Sequence, residues 1–414
     1  MSNNFALMVR VRGDVSASQL TDALARIAPR HPALFRGMEP GAPLPLEIRA
    51  GCGPDDWIAV AQDGLRLDFP GFPAHGPFAH FTCLQTATGF DLVLACHHGV
   101  ADGISGVYIL RDLLRALSDP QAHFEPLQAL PHADAFIPPA LKTNAGLRRR
   151  VNIIAAILAA RVQLEKLRRR FMPARPIGPA PSQPQPGGGL PPNEQYLILP
   201  TRLDAPHTAA LLARCKKEGV TVHAAVCAAW LRAFTAASGA RFGSVSTPVN
   251  LRPRIAPAPG ETASVLLSTV ETRLDCAPAR AFWDMARDFK HRLGQNTRDE
   301  ELFFKPMLIS QAFSQSAPAD VGILLGLLFF SPVNYDFSIT NLGIVDLPER
   351  CGALQVEAFN GPLVNSSEHE RTVGVSTFRG QLGMTFNLRR SKMEPAQAKA
   401  LLERVSAILV EASA

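Results

Sequence analysis

The sequence predicts an α+β protein of two halves, and three observations support this. The chain has 414 residues, 47% of them hydrophobic, which is enough to fill two cores. Segments with strand and helix periodicity alternate along most of its length. Residues 173–193 are so rich in proline and glycine that neither a helix nor a central strand can form there. We therefore expect an N-terminal half at 1–172, a linker at 173–193 and a C-terminal half at 194–414.

The N-terminal half begins with a predicted strand that ends near Arg12, followed by a helix with apolar residues at helical spacing up to Ile27. A later segment, Phe90 to Cys96, is almost wholly apolar and predicts a buried strand. Beyond it, apolar residues from Ile104 to Leu117 recur at helical spacing. The segment between this strand and this helix is therefore held by regular structure at both ends.

The C-terminal half is predicted to open with a strand at 196–199 and helices at 205–218 and 222–237. The second of these helices has almost no polar face, which is typical of a buried helix. Alternating apolar residues on both sides of Arg379-Gly380 predict a β-hairpin. A final amphipathic helix runs from Ala398 to Leu409 and is expected to dock on this half.

The chemistry is concentrated between the predicted strand and helix of the N-terminal half, in the run from His97 to Gly103. Two imidazoles end the strand, Asp102 follows four residues after His98, and Gly103 comes directly after Asp102. Histidine accepts protons near neutral pH, and a strand end beside a helix start fixes a ring well. We interpret this run as holding a positioned general base, supplied by one of the two histidines.

Three other interpretations of this run are possible. A histidine pair can be a chance polar pair at a strand end. A metal site would need further ligands at recognisable spacing, and the other nine histidines are scattered. A serine-hydrolase elbow requires Gly-x-Ser-x-Gly, whereas the run from Gly103 to Gly106 is Gly-Ile-Ser-Gly. A base without a protein nucleophile suits direct attack by a substrate hydroxyl or amine.

The His-His-x-x-x-Asp-Gly pattern after a strand resembles the signature of the thioester-dependent acyltransferase superfamily. This superfamily includes condensation domains of peptide synthetases, wax ester synthases and polyketide-associated acyltransferases. Three further stretches resemble it in family order: Val11 to Arg36, Thr247 to Arg254, and Tyr335 to Gly343. The resemblance implies two chloramphenicol-acetyltransferase-like α/β sandwich halves with an active-site tunnel between them.

The resemblance also implies the roles of individual residues. His98 would remove the proton of an alcohol or amine acceptor as it attacks an acyl thioester, with no acyl-enzyme. Asp102 would pair with an arginine, either Arg252 or Arg254, and hold the loop, while His97 and Gly103 would shape its turn. Thr340 and Asn341 would face the acceptor or the oxyanion, or would only cap the strand end. No bound cofactor or metal is expected, and acyl-CoA or a phosphopantetheine thioester would be the co-substrate.

One departure from the peptide-synthetase pattern is visible at Tyr335 to Gly343, which contains no tryptophan. This favours a stand-alone acyltransferase over an amide-forming or ester-forming condensation enzyme, which stays as an alternative. A non-catalytic recruitment module is a second alternative, although His98 and Asp102 are both present. A trimeric chloramphenicol-acetyltransferase-like enzyme is disfavoured because such chains are about half as long.

The positive charge is concentrated in residues 142–175, which hold ten basic residues and one acidic residue. That segment carries +9 while the whole chain carries +6, so the remainder is negative. Apolar residues within it predict a helix. It is interpreted as a surface helix on the N-terminal half, a peripheral membrane contact, or a docking surface for CoA phosphates or an acyl carrier protein. Nucleic-acid binding is disfavoured because aromatic residues make up only 7% of the chain.

Cysteine usage and the N-terminus bear on localisation. The chain has seven cysteines without regular spacing, which argues against a disulfide framework and for a reducing compartment. The N-terminus lacks a charged-then-apolar signal pattern, and no uncharged apolar run reaches the length of a membrane span. We expect a cytoplasmic protein, with membrane association at the periphery left open.

Overall fold

The computed structural model describes residues 4–35, 43–51, 53–66, 78–128, 136–171, 196–317, 320, 323–324, 335–365 and 371–414. Two six-stranded sheets organise these residues. The α+β class with two sheet-and-helix units is confirmed. The predicted linker at 173–193 lies outside the described residues.

The first sheet is centred on the N-terminal strand. Its strands, numbered in chain order, are β1 (Asn4–Arg12), β2 (Leu46–Ala50), β3 (Ala79–Thr86), β4 (Gly89–His97), β9 (Arg350–Cys351) and β10 (Leu354–Asn365). Their order across the sheet is β2-β3-β4-β1-β10-β9. Strand β1 runs antiparallel to both neighbours, and Phe5 lies opposite Cys96 on one side and Val364 on the other. All of β4 is buried, so the motif follows a rigid strand.

Helices cover both faces of the first sheet. They are α1 (Ala17–Ile27), α2 (Asp56–Arg66) and α3 (Gly103–Ser118). Helices α1 and α3 share the main apolar core with β1 and β4, and Leu20 and Leu113 are fully buried there. On the other face, Trp57 of α2 packs with Met8 and Val93.

The second sheet has the order β5-β12-β11-β8-β6-β7. Its strands are β5 (Tyr196–Leu203), β6 (Phe242–Asn250), β7 (Leu267–Asp275), β8 (Phe337–Ile344), β11 (Arg371–Phe378) and β12 (Gln381–Arg389). Its helices are α6 (Ala205–Lys217), α7 (Val222–Ser238), α8 (Phe282–Asn296) and α10 (Pro395–Ser413). Trp230 of α7 is fully buried against Phe337 and Phe386.

The structure differs from the predicted halves in two places. Strands β9 and β10 come from the C-terminal half but complete the first sheet. Helix α5 (Ala145–Phe171), which follows the short α4 (Pro139–Thr143), packs on α9 (Asp299–Ser314) of the C-terminal half. The expectation that this basic helix packs on the N-terminal half was wrong, because the apolar partners of its buried face come from the chain beyond the linker.

The remaining elements agree well with the sequence predictions. The predicted buried strand is β4, the helix after the motif is α3, the hairpin is β11 and β12, and the final helix is α10.

Six cysteines are described as free thiols, and all six are buried. Within the described part of the chain, no single helix has the length and apolarity to cross a bilayer. One pair, α6 and α7, meets those criteria jointly but is bent by 102°. The cytoplasmic location stays a prediction.

Candidate active site

His98 lies immediately after the last residue of β4, at the start of the loop that leads into α3. Its side chain is half-buried, and its ring lies 4.9 Å from that of Phe5, centroid to centroid. The backbone of Ala101 acts on the imidazole by favouring its charged form. A neutral imidazole carries a proton on one ring nitrogen and a lone pair on the other. In its neutral form His98 therefore has one nitrogen that can accept a proton.

The surroundings of His98 favour its neutral form. Burial lowers its pKa to about 4, and the neighbouring His97 acts in the same direction. The negative charge of Asp102 and the contact with Ala101 oppose this effect but do not outweigh it. An imidazole with this pKa carries no proton on its second nitrogen at neutral pH, which is the form that a general base requires.

His97 shapes the turn from within the loop. Its Nδ1 accepts a hydrogen bond of 2.9 Å from the amide of Gly99, and its ring lies 5.6 Å from that of Phe78. The side chain is buried, unlike that of His98. The two adjacent histidines are thus placed differently: one is turned into the loop and the other faces a partly open space.

Asp102 is the N-cap of α3 and is buried. Its Oδ1 accepts from the amide and the hydroxyl of Ser105, both at 2.9 Å. Arg252 donates to it with both terminal nitrogens, over 2.7 Å to Oδ2 and 3.1 Å to Oδ1. The amide of Leu266 completes the set at 3.0 Å. Buried carboxylates are stable when paired and hydrogen-bonded in this way.

The choice between Arg252 and Arg254, which the sequence left open, is made by the local turn. Arg252 begins a 3₁₀ turn after β6, is buried, and extends to Asp102. Arg254, two residues later, points to the surface and pairs with Asp299. Asp102 therefore joins the helix that follows the motif to a segment of the second half.

Sequence reasoning missed three groups that complete this network. The hydroxyl of Ser105 lies 2.8 Å from Nη2 of Arg252 and 3.0 Å from the carbonyl oxygen of Ser264. The amide of Ser264 donates back to that hydroxyl, and Leu266 binds Asp102 as described above. Ser105 stands three residues after an aspartate at a helix start, a capping spacing that could have identified it. The loop at 264–266 carries no comparable sequence signal.

Gly103 and Leu342 show that β8 reaches the motif. A Cβ on Gly103 would lie 3.0 Å from Cδ2 of Leu342, whose strand belongs to the second sheet. The φ angle of Gly103 is not positive, so its backbone conformation does not require glycine. The close approach of Leu342 is the feature that favours glycine at this position.

Thr340 and Asn341 lie on β8 just before Leu342, and both are half-buried. The Oδ1 of Asn341 accepts from the amide of Gly343 at 2.8 Å, which is the capping contact considered as one alternative from the sequence. Gly343 has φ of +70°, a conformation that glycine adopts readily. The carboxamide oxygen of Asn341 is thus engaged in the turn, whereas its NH₂ group can still donate elsewhere.

The thiol next to the motif belongs to Cys96, the residue before His97. The thiol of Cys96 is fully buried, and burial raises its pKa far above the ordinary value. A protonated, enclosed thiol is unreactive. Among the described residues, no group of three or more His, Cys, Asp or Glu side chains could hold a metal ion.

Comparisons with known proteins give one family match and several similar structures. Residues 195–387 match the family described as phthiocerol/phthiodiolone dimycocerosyl transferase C-terminus. The structure resembles that of polyketide synthase associated protein 5 from Mycobacterium tuberculosis, with a TM-score of 0.62 at 18% identity, covering 100% of this chain and 94% of that chain. It also resembles a trichothecene 15-O-acetyltransferase from Fusarium sporotrichioides, with a TM-score of 0.71 at 12% identity, covering 99% and 92%.

A third similar structure is the epimerization domain from the third module of tyrocidine synthetase B. It has a TM-score of 0.62 at 16% identity and covers 100% of this chain and 91% of that domain. No curated protein sequence matches the chain significantly.

The fold defines the class: this is a protein with the condensation-domain and acyltransferase architecture, as the sequence resemblance predicted. The family match of its C-terminal part is to a transferase, and with the neighbours it supports the prediction of an acyltransferase.

Proposed function

We propose that this protein moves an acyl group from a CoA or carrier-protein thioester to a hydroxyl or amine acceptor, with His98 as the general base. The observation that carries the proposal is the position of His98. It follows the fully buried strand β4 and stands in the loop where Asp102 is bound by Arg252 and Gly103 lies beside Leu342, both from the second half. The low pKa of its ring agrees with a role as a base. The matched family is a transferase family, and the two similar structures are a polyketide synthase associated protein and an acetyltransferase, which supports the same reaction class.

The proposed reaction proceeds in two steps. The lone pair of His98 takes the acceptor proton while the acceptor oxygen or nitrogen forms a bond to the thioester carbonyl carbon. The resulting tetrahedral oxyanion then collapses, the C–S bond breaks, and the proton on His98 passes to the leaving thiolate. The products are an ester or amide and a free thiol. General-base assistance of this kind contributes about 10²- to 10⁴-fold in rate, or about 3–5 kcal/mol.

The other predicted site residues have positioning roles in this proposal. Asp102 and Arg252 hold the loop and do not contact the reacting atoms. Thr340 and Asn341 lie on the strand that reaches the motif, and hydrogen bonds from their side chains would stabilise the oxyanion or orient the acceptor. A thioester is already activated, so neither an acyl-enzyme nor a bound metal is part of the proposed mechanism.

The test is a donor and acceptor screen with product detection by mass spectrometry. Acyl-CoAs of increasing length and acylated carrier proteins are combined with alcohols and amines, and thiol release is followed in parallel. We expect release that requires an acceptor and that is lost in His98→Ala. His207, an exposed histidine on α6, provides the matched control, and His207→Ala should keep full activity.

Two outcomes would overturn the proposal. Unchanged thiol release in a folded His98→Ala variant would show that His98 is not the base. A folded parent that turns over no donor and acceptor, but that still binds an acyl carrier protein, would identify a recruitment module. An amide product with aminoacyl carrier donors alone would favour the condensation-enzyme alternative.

A further inference from the structure

Helix α5 has one buried face and one exposed apolar face. The buried face packs on α9 and on neighbouring segments of the C-terminal half. Its buried members are Leu147, Val151, Ala155, Leu158 and Val162. They recur every three or four residues, which places them along one side of the helix.

The opposite side of α5 carries large apolar side chains that are at least half exposed. These are Ile153 (51%), Ile157 (50%), Leu164 (66%), Leu167 (52%) and Phe171 (74%). At 100° per residue they fall within one narrow stripe, and at 1.5 Å per residue the stripe is about 27 Å long. We call this stripe the outer face of α5. It contains five of the nine large hydrophobic side chains that are exposed among the described residues.

Cations border the outer face. Helix α5 holds eight basic residues and one acidic residue, Glu165. On a helical projection Arg149 flanks the stripe on one side, and Arg161 and Arg168 flank it on the other. Among the basic side chains of α5 that the structure describes, three are in ion pairs: Arg150 with Glu301, Lys166 with Asp320, and Arg168 with Glu165. The helix keeps a large positive excess around an apolar surface.

We propose that the outer face of α5 docks on an anionic lipid bilayer, with the helix lying in the plane of the interface. Exposed isoleucine, leucine and phenylalanine would enter the boundary between headgroups and acyl chains. The flanking arginines would meet the lipid phosphates. A second copy of the chain is a poor partner for this face, because it would bring two strongly positive helices together.

The surface lies close to the candidate site without belonging to it. The buried face of α5 contacts the cluster that contains Leu251 and Leu266. Leu251 precedes Arg252, and the amide of Leu266 binds Asp102. Docking through the outer face would therefore place α5 between the bilayer and the cluster that supports the loop of the candidate site. The docking itself does not depend on the proposed reaction.

The test is vesicle flotation of the full-length protein. Vesicles of phosphatidylcholine with phosphatidylglycerol are compared with vesicles of pure phosphatidylcholine, at low and at high salt.

Three variants are compared with the parent. An apolar variant carries Ile153→Gln, Ile157→Gln, Leu164→Gln and Leu167→Gln. A charge variant carries Arg148→Gln, Arg149→Gln, Arg161→Gln and Arg170→Gln. A control variant removes the same charge elsewhere, through Lys216→Gln, Lys217→Gln, Arg390→Gln and Arg404→Gln. Circular dichroism verifies that each variant is folded, as expected for exposed positions.

We expect the parent and the control to float with anionic vesicles at low salt, and to do so much less with neutral vesicles. The charge variant should lose at least about tenfold in partitioning, because each cation near an anionic surface contributes favourably. High salt should reduce parent binding, since the charges are screened over about 8–10 Å at moderate ionic strength. The apolar variant should lose binding at both salt concentrations.

A folded parent that does not float with anionic vesicles would overturn the proposal. So would equal flotation of the parent, apolar and charge variants. If the parent does not bind vesicles but binds an acidic carrier protein through these same residues, the outer face is a protein-docking surface and the membrane assignment is wrong. None of these outcomes depends on acyl transfer, so the membrane-docking proposal and the proposed function are tested independently.

Discussion

Arg252 donates two hydrogen bonds to the carboxylate of Asp102 over a separation of 150 residues. One partner caps the helix that follows the histidine motif, and the other begins the turn after β6. Because both side chains are buried, the pair is shielded from solvent and from salt. The position of the His98 loop thus depends on contacts with both halves of the chain.

Asp102→Ala should reduce stability as well as activity. Removing one member of a buried pair leaves Arg252 uncompensated, at a cost of about 3–5 kcal/mol. Thermal or denaturant unfolding of the variant measures this loss. The surface pair of Arg254 and Asp299 is the matched control, and Asp299→Ala should change stability by about 0–1 kcal/mol. If Asp102→Ala melts like the parent while activity alone falls, the carboxylate acts in the chemistry and its positioning role is wrong.

His98→Ala should leave the fold intact and lower turnover by about 10²-fold or more, because the variant loses only the base. The side chain is half-buried and packs against Phe5, so the stability change should stay well below that of Asp102→Ala. Steady-state rates with a saturating donor, beside a melting curve, separate these effects. Turnover within a fewfold of the parent would remove the proposed mechanism.

The pH dependence of activity should reflect the low pKa of His98. With a pKa of about 4, the imidazole is already the free base at pH 6, so kcat/KM should show no loss attributable to this group between about pH 8 and pH 5. The rate should fall only as the pH approaches 4. A profile of kcat/KM from pH 4 to pH 8 tests this. An inflection near 6.5 would show that His98 is solvated and unperturbed in the free enzyme.

Acid stability should change in the corresponding direction. The pKa of His98 in the folded state, about 4, lies below the ordinary value of 6.5, so the unfolded chain binds the proton more tightly. The stabilisation by His98 is therefore complete above pH 6.5 and is lost as the pH falls from 6.5 to 4. His223, whose pKa burial also lowers to about 4, behaves in the same way. Denaturant unfolding should show a smaller loss over this range for His98→Asn than for the parent, and an equal loss would contradict the prediction.

Local patterns sufficed for the elements that carry the motif. The apolar run before His97 and the helical spacing after Gly103 depend on neighbouring residues, and both predicted elements are present as β4 and α3. Local sequence patterns could not show which arginine pairs with Asp102. Arg252 and Arg254 are two residues apart in one short turn, and only the fold shows which of them points inward.

The two differences from the predicted halves have the same origin. Strand β10 alternates like any half-buried strand, and nothing local indicates that it pairs with β1 across some 350 residues of sequence. Helix α5 has apolar residues on two faces, Ile153 on one and Val151 on the other. Its sequence could not show which face would be buried, because the partners of the buried face are on α9 and in neighbouring segments far along the chain.

The junction of the two sheets gives the last prediction. Gly374 of β11 lies so close to β10 that a Cβ there would be 1.9 Å from the carbonyl oxygen of Pro362. Backbone cannot yield as a flexible side chain does, so Gly374→Ala should push the two strands apart and cost about 1–3 kcal/mol or more. Gly374 also lies beside Thr340 in register, so activity should fall together with stability.

Gly383 of β12 is the matched control, because its Cβ would be 3.7 Å from its nearest neighbour. Gly383→Ala should therefore melt close to the parent. Comparable melting temperatures for Gly374→Ala and Gly383→Ala would mean that the approach of β10 to β11 is looser than the structure shows. In that case the contact would not fix the distance between the sheet that holds His98 and the strand that holds Thr340 and Asn341.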